Sequence, residues 1–256
     1  IEKTQYSDRF CRSLIKEIKL RAEPFPDLSS HHYNTIFFGG GTPSLLKPAQ
    51  LEQIIDALKT HYSFDANVEF TMECNPGTVD VKKLQDYRIL GVNRLSFGVQ
   101  SIHAHELTFL DRIHSTQQSH EAVNFARQAG FDNINLDVMF ALPNQKFNDF
   151  QQTLQTIISW EPEHISSYSL IFEEGTPLYS RLLKGEVSPQ NQETDAKFYA
   201  YAIDALHSAG YLQYEVSNFA KFGRHCRDNL LYWHGNQYLA FGPSAHGHFN
   251  GNRYWN

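Results

Sequence analysis

The sequence predicts an α/β fold, an incomplete (β/α) barrel with a smaller C-terminal α/β extension. Two observations predict it. Apolar, β-rich runs alternate with longer amphipathic segments at a spacing of roughly 25 to 40 residues, the rhythm of right-handed βαβ units around a parallel sheet. Glycines and polar side chains gather where the apolar runs end, which is where a parallel barrel collects its binding groups.

Taken in order, residues 8–20 read as a helix with Leu14, Ile15 and Ile18 on one stripe. Residues 34–38 (NTIFF) form a buried strand that runs into Gly39-Gly40-Gly41. The helix over 48–60 carries Leu51, Ile54, Ile55 and Leu58 on its apolar face. A strand over 67–73 leads to a helix over 80–90, ended by Gly91. The strand over 93–99 precedes a helix over 116–129, stopped at its C-terminal cap by Gly130. Strands over 133–140 and 164–171 flank a helix over 148–160. A long helix over 192–209 ends at Gly210, and residues 213–217 (QYEVS) read as another strand. That makes five main strands plus the run at Tyr214; one more would be expected ahead of Asp8, where the chain offers none. The stretch 173–189, with Gly175, Pro177, Gly185 and Pro189, reads as a connection. Residues 1–172 are therefore assigned to the barrel core and 173–256 to its final elements and the extension. The chain opens on Ile1 and stops at Asn256 without a closing element, which points to removed residues at both ends.

Composition narrows the function. With 256 residues, 41% of them hydrophobic, the chain can bury one large barrel or two smaller cores. A net charge of −6 with scattered Lys and Arg argues against a nucleic-acid partner. No run approaches the roughly 20 apolar residues of a bilayer span, and no signal-peptide pattern is present. A cytoplasmic protein is expected, with peripheral membrane contact left open. Cys11, Cys74 and Cys226 are widely spaced, which fits a reducing compartment and offers no C-x-x-C metal clip.

Three strand ends carry the chemistry. Gly39-Gly40-Gly41-Thr42-Pro43 lets the backbone approach a ligand closely, or else makes a tight barrel corner. Glu73, at the next strand end, lies on the face where active sites collect; alternatively it belongs to a helix-capping cluster with Asn75 and Thr78. Gln100 ends the third strand, and Asp137 sits among apolar neighbours in the fourth, a costly place for an unpartnered carboxylate. Glu73, Gln100 and Asp137 on successive strands behind a triglycine loop point to one site across the barrel mouth. His103/His105 and His246/His248 are His-x-His pairs that can share a metal on a strand and are solvated in loops.

The ordered set GGGTPSLL, ECNPGTV, GVNRLSFGVQS, INLDVMFALP, YSL and EEGTPLY resembles the radical S-adenosylmethionine (SAM) proteins related to oxygen-independent coproporphyrinogen III oxidase. YEVSNFA, Cys226 and Asn229-Leu230-Leu231-Tyr232-Trp233 look most like the haem-chaperone branch. The resemblance spans nearly the whole chain. It implies a (β/α)6-type radical SAM barrel, here incomplete. Gly40, Gly41 and Thr42 would contact the methionine part of SAM, Glu73 and Gln100 its polar groups or ribose, and Arg112 and Asp137 would complete the site. It also implies a [4Fe–4S] cluster on a C-x-x-x-C-x-x-C triplet, which this chain lacks and which is expected upstream of Ile1. The chaperone branch carries His-Asn-x-x-Tyr-Trp, and here Asp228 takes the His position. Asp is a poor haem ligand, so His225, Cys226 and Tyr232 mark the candidate haem region, with aromatic core packing as the other reading. The implied function is haem binding and transfer to acceptor haemoproteins. The alternative is an enzyme, the oxidative decarboxylation of coproporphyrinogen III.

Overall fold

The computed structural model describes residues 2–23 and 31–256, with side chains from Ser7 onward. Five parallel strands lie side by side in chain order: β1 (His32–Phe38), β2 (Ser63–Cys74), β3 (Arg94–Gln100), β4 (Ile134–Phe140) and β5 (His164–Ser169). Two short strands, β6 (Leu212–Gln213) and β7 (Asn218–Ala220), extend the sheet antiparallel, with β7 against β5. The result is a curled, parallel-dominated half-barrel. At its other side β1 pairs with β2 alone among the described residues.

Helices return the chain between parallel strands: α1 (Glu2–Ala22) before β1, then α2 (Pro48–His61), α3 (Val81–Ile89), α4 (Ala104–Phe109), α5 (Thr116–Gln128) and α6 (Phe147–Ser159). After β5 come α7 (Pro177–Leu183), α8 (Gln192–Ser208), α9 (Arg227–Trp233) and a separate hairpin, β8 (His246–Phe249) and β9 (Asn252–Trp255). Local chemistry sets the helix ends. The Ser115 hydroxyl accepts the Gln118 amide while Gln118 reaches back to the Ser115 amide, opening α5. Gly130, at φ +89, closes it.

The strands alternate with period two, and the two faces differ in kind. Phe70, Met72, Leu95, Phe97, Leu136, Val138 and Ile165 face outward, each at most 2% exposed, and join Leu51, Ile55, Leu84, Ala122, Phe150 and Leu154 of the helices in one core. Each such large side chain contributes about 1.5–3 kcal/mol when fully buried. The inner face is polar. Register aligns Glu73 with Ser96, Ser96 with Asn135, Asn135 with His164, and Asp137 with Ser166. These rows bond to one another: Asn135 Nδ2 donates to Ser96 Oγ (2.8 Å) and Asp137 Oδ1 (2.7 Å), while Asn135 Oδ1 sits 2.6 Å from His164 Nδ1. The lumen is thus lined with polar groups that only a partner or a ligand can satisfy.

Three expectations change. Of residues 213–217 only Gln213 lies in a strand, as the end of β6. Glu215 Oε1 accepts the Ser217 amide at 2.9 Å and bends the chain, while the Tyr214 hydroxyl turns inward to His164 Nε2 at 2.8 Å. The stretch 173–189 is not a bare connection. Thr176 accepts the Tyr179 amide at 3.1 Å and Pro177 opens α7. Asp80, not Asn75 or Thr78, caps α3, accepting the Lys83 amide at 2.8 Å.

Candidate functional site

At the C-terminal ends of the strands lies a cavity of about 300 Å³. Gly41, Thr42, Glu73, Gln100, Arg112 and Asp137 all line it, together with Asn75, Ser96, Gly98 and Tyr168. Six of the seven predicted residues therefore meet in one space at the low end of the usual small-molecule range, roughly 300–1,000 Å³. Gly40 stands behind them and lines a neighbouring groove; its amide donates to Glu73 Oε2 at 3.1 Å. The first glycine of the turn has a steric reason. A Cβ on Gly39 would stand 2.9 Å from the Glu73 carboxylate, so only glycine lets that carboxylate lie against the loop.

The remaining side chains hold one another. Asn75 Nδ2 donates to Thr42 Oγ1 at 3.2 Å, and Arg112 donates to Asn75 Oδ1 at 3.1 Å. The Tyr168 hydroxyl donates to Gln100 Oε1 at 3.0 Å. Gln100 takes φ +68, a left-handed conformation that costs a non-glycine residue energy and collects at functional sites. Ser96, Gly98 and Tyr168 escaped the sequence reading, which gave Asn75 only a helix-capping role. Tyr168 had a signal: it lies in phase with His164 and Ser166, on the inward parity of β5.

Electrostatics set the acids apart. Burial, then the neighbouring charge of Asp137, pushes the Glu73 carboxyl up to about 7, against the pull of the Gly40 amide. Asp137 is also raised, by burial, although Asn135 and Ser166 bond to it. Burial raises the Tyr168 hydroxyl as well, keeping it a neutral donor. Two carboxylates, a guanidinium, an amide and backbone groups on rigid strand ends suit a ligand that carries both charges and hydroxyls.

Below the cavity the polar lumen continues to α9. Glu69 Oε1 accepts the Arg227 amide at 2.8 Å and faces Cys226 Sγ at 3.6 Å. The His225 ring lies 4.8 Å from the Tyr214 ring, centre to centre. Asp228 Oδ1 accepts from Thr35 Oγ1 at 3.3 Å, and the Tyr232 hydroxyl also bonds this carboxylate. Burial raises the Asp228 carboxyl to about 6. Asp228 and Tyr232 reach an apolar groove of about 760 Å³, floored by Leu14 and Ile18 of α1 and by Phe37 of β1, whereas His225 and Cys226 stand off it. The three residues of the candidate haem region therefore do not line one space. Tyr232 and Trp233 are 53% and 58% exposed, so packing does not account for them as core.

The cysteines do not fit a metal cluster. Cys11, Cys74 and Cys226 lie on α1, at the end of β2 and before α9. All three are buried, and burial raises their thiols, Cys74 to about 12 and Cys226 to about 11, the reverse of a thiolate ligand.

The chain is similar to known proteins. The Radical SAM superfamily matches residues 22–157. Heme chaperone HemW of Bacillus subtilis is 39% identical over 229 residues, covering 89% of this chain and 59% of that protein. Heme chaperone HemW of Escherichia coli is 39% identical over 215 residues, 83% of this chain and 55% of that protein. The mitochondrial radical S-adenosyl methionine domain-containing protein 1 of Danio rerio is 38% identical, covering 84% of this chain and 48% of its own length. The chain thus spans about half to three-fifths of these relatives. Among solved structures, coproporphyrinogen III oxidase (HemN) of Escherichia coli superposes with a TM-score of 0.81 at 22% identity, covering 96% of this chain and 59% of that one, which establishes a shared fold. The family match over residues 22–157 and relatives 38–39% identical over more than four-fifths of the chain show that it belongs to the radical SAM superfamily.

Proposed function

We propose that the cavity at the strand ends binds S-adenosylmethionine and that the protein is a haem chaperone, binding haem and passing it to acceptor haemoproteins in the cytoplasm. One observation carries the cofactor assignment: Gly41, Thr42, Glu73, Gln100, Arg112 and Asp137 line a single cavity. The donor set fits the cofactor chemically. Arg112 suits its carboxylate, Glu73 and Asp137 its ammonium and sulfonium charges, and Gln100 its ribose hydroxyls. Radical SAM membership implies a [4Fe–4S] cluster alongside, and the three buried cysteines of this chain, on separate elements, do not fit as its ligands. When bound, the cofactor supplies radical chemistry; the residues of this chain bind it, orient it and keep its polar ends dry.

The haem assignment is supported by the two HemW relatives and by the exposed pair Tyr232 and Trp233 at the end of α9. Burial raises the Tyr232 hydroxyl, as does the charge of Asp228 beside it, so Tyr232 offers its ring face rather than a tyrosinate. Three free thiols suit a reducing compartment. Among the described residues no helix is long and apolar enough to cross a membrane.

The test is a Soret titration of the chain with haem. Tyr232→Ala lowers affinity while Tyr232→Phe keeps it, as expected for ring contact; loss in both variants would make the hydroxyl a ligand and overturn this reading. On the full-length gene product, reconstituted without oxygen, haem binding without decarboxylation of coproporphyrinogen III is expected. Turnover of that substrate would make the protein the oxidase.

A further inference from the structure

The His103/His105 pair belongs to neither cavity, and the structure gives it a setting that a strand would not. His103 caps α4 and His105 lies in its first turn. Facing it is the first turn of α6, which carries Asp149. His105, Glu106 and Asp149 each bring one ligand atom, and the three atoms lie within 4.8 Å of one another. His105 Nε2 and Asp149 Oδ2 are 3.6 Å apart. A tetrahedral zinc ion with bonds of about 2.0–2.2 Å holds its ligand atoms about 3.4 Å apart. The cluster is therefore within small adjustments of a coordination shell.

A second observation points to a ligand. Glu106 is 3% exposed. Its Oε2 accepts the Ser101 hydroxyl, while its Oε1 is buried with no hydrogen-bond partner. Helix N-termini favour ionised acids and so account for the charges of Glu106 and Asp149. They do not account for a buried carboxylate oxygen that bonds to nothing, which is costly and rare. A cation held by the Glu106 carboxylate relieves that cost.

The geometry points to a divalent-cation site formed by His105, Glu106 and Asp149, of the zinc class, between the connections that follow β3 and β4. One imidazole with two carboxylates favours zinc over magnesium or calcium, which prefer oxygen alone. Three protein ligands beside an exposed His105 leave the remaining position to water. Outer partners are in place: Ser101 holds Glu106, and His103 Nε2 lies 2.9 Å from the Asp149 carbonyl. Bound there, the ion ties α4 to α6 and stiffens Ser101, the residue after Gln100.

The test uses the chain freed of metal by a chelator. Calorimetric titration with Zn²⁺ gives one ion per chain, and Zn²⁺ raises the melting temperature. Co²⁺ gives a tetrahedral visible spectrum without a thiolate charge-transfer band. His105→Ala, an exposed change that circular dichroism should show to be folded, weakens Zn²⁺ binding more than about 100-fold, and Ser101→Ala, acting through Glu106, about 10- to 100-fold. His248→Ala leaves affinity unchanged. No binding by the wild-type chain, wild-type affinity in His105→Ala, loss in His248→Ala, or a thiolate band would each overturn the assignment.

Discussion

Replacing Glu73 by Gln should make the protein more stable at pH 8 and worse at holding its ligand. Its carboxyl rises from 4.5 to about 7 on folding. Between those values the folded chain holds a proton that the unfolded chain has released, so stability falls as pH rises through this window and is level above it. Each unit is worth about 1.36 kcal/mol, so the ionised Glu73 costs the native state at most about 3 kcal/mol at pH 8. Gln keeps the oxygen that accepts the Gly40 amide and removes the charge. Urea unfolding at pH 4 and pH 8 reads the difference. Wild type and Glu73→Gln should match at pH 4, and the variant should gain about 2–3 kcal/mol at pH 8. The same titration with S-adenosylmethionine at pH 8 should show weakened binding. An offset that is identical at both pH values, or a variant less stable at pH 8, would refute the view of Glu73 as a charge kept ionised for a cationic ligand.

Two further outcomes follow from single contacts. Tyr168→Phe removes the hydroxyl that holds Gln100 Oε1 and should weaken S-adenosylmethionine binding about fivefold, equivalent to about 1 kcal/mol, by calorimetry. Glu163→Ala breaks a forked pair with Arg127, both bonds 2.9 Å, and frees the Ile134 amide at the start of β4; denaturant unfolding should show a loss of about 2 kcal/mol without loss of ligand affinity.

The strands and long helices were legible because their apolar residues keep a period, and Glu73, Gln100 and Asp137 were legible because they interrupt one. Tyr168 and Ser96 were not, since a polar residue on the expected parity of a strand looks like ordinary alternation until the lumen is known to be polar. QYEVS alternates like a strand, yet Tyr214 is drawn to His164 fifty residues away and Glu215 bends its own backbone. Helices α4, α7 and α9 span six or seven residues, too short to display a helical period. The cluster at His105 depends on Asp149, brought near by the packing of two connections, and no local pattern announces such a pair.

The unpaired outer side of β1 has a consequence for handling the protein. A strand whose outer side has no partner strand among the described residues, bearing Phe37 at 37% exposure beside an apolar groove, is a template for an added strand. At high concentration these 256 residues should self-associate edge to edge and precipitate, and an added peptide able to lie along β1 should keep them in solution.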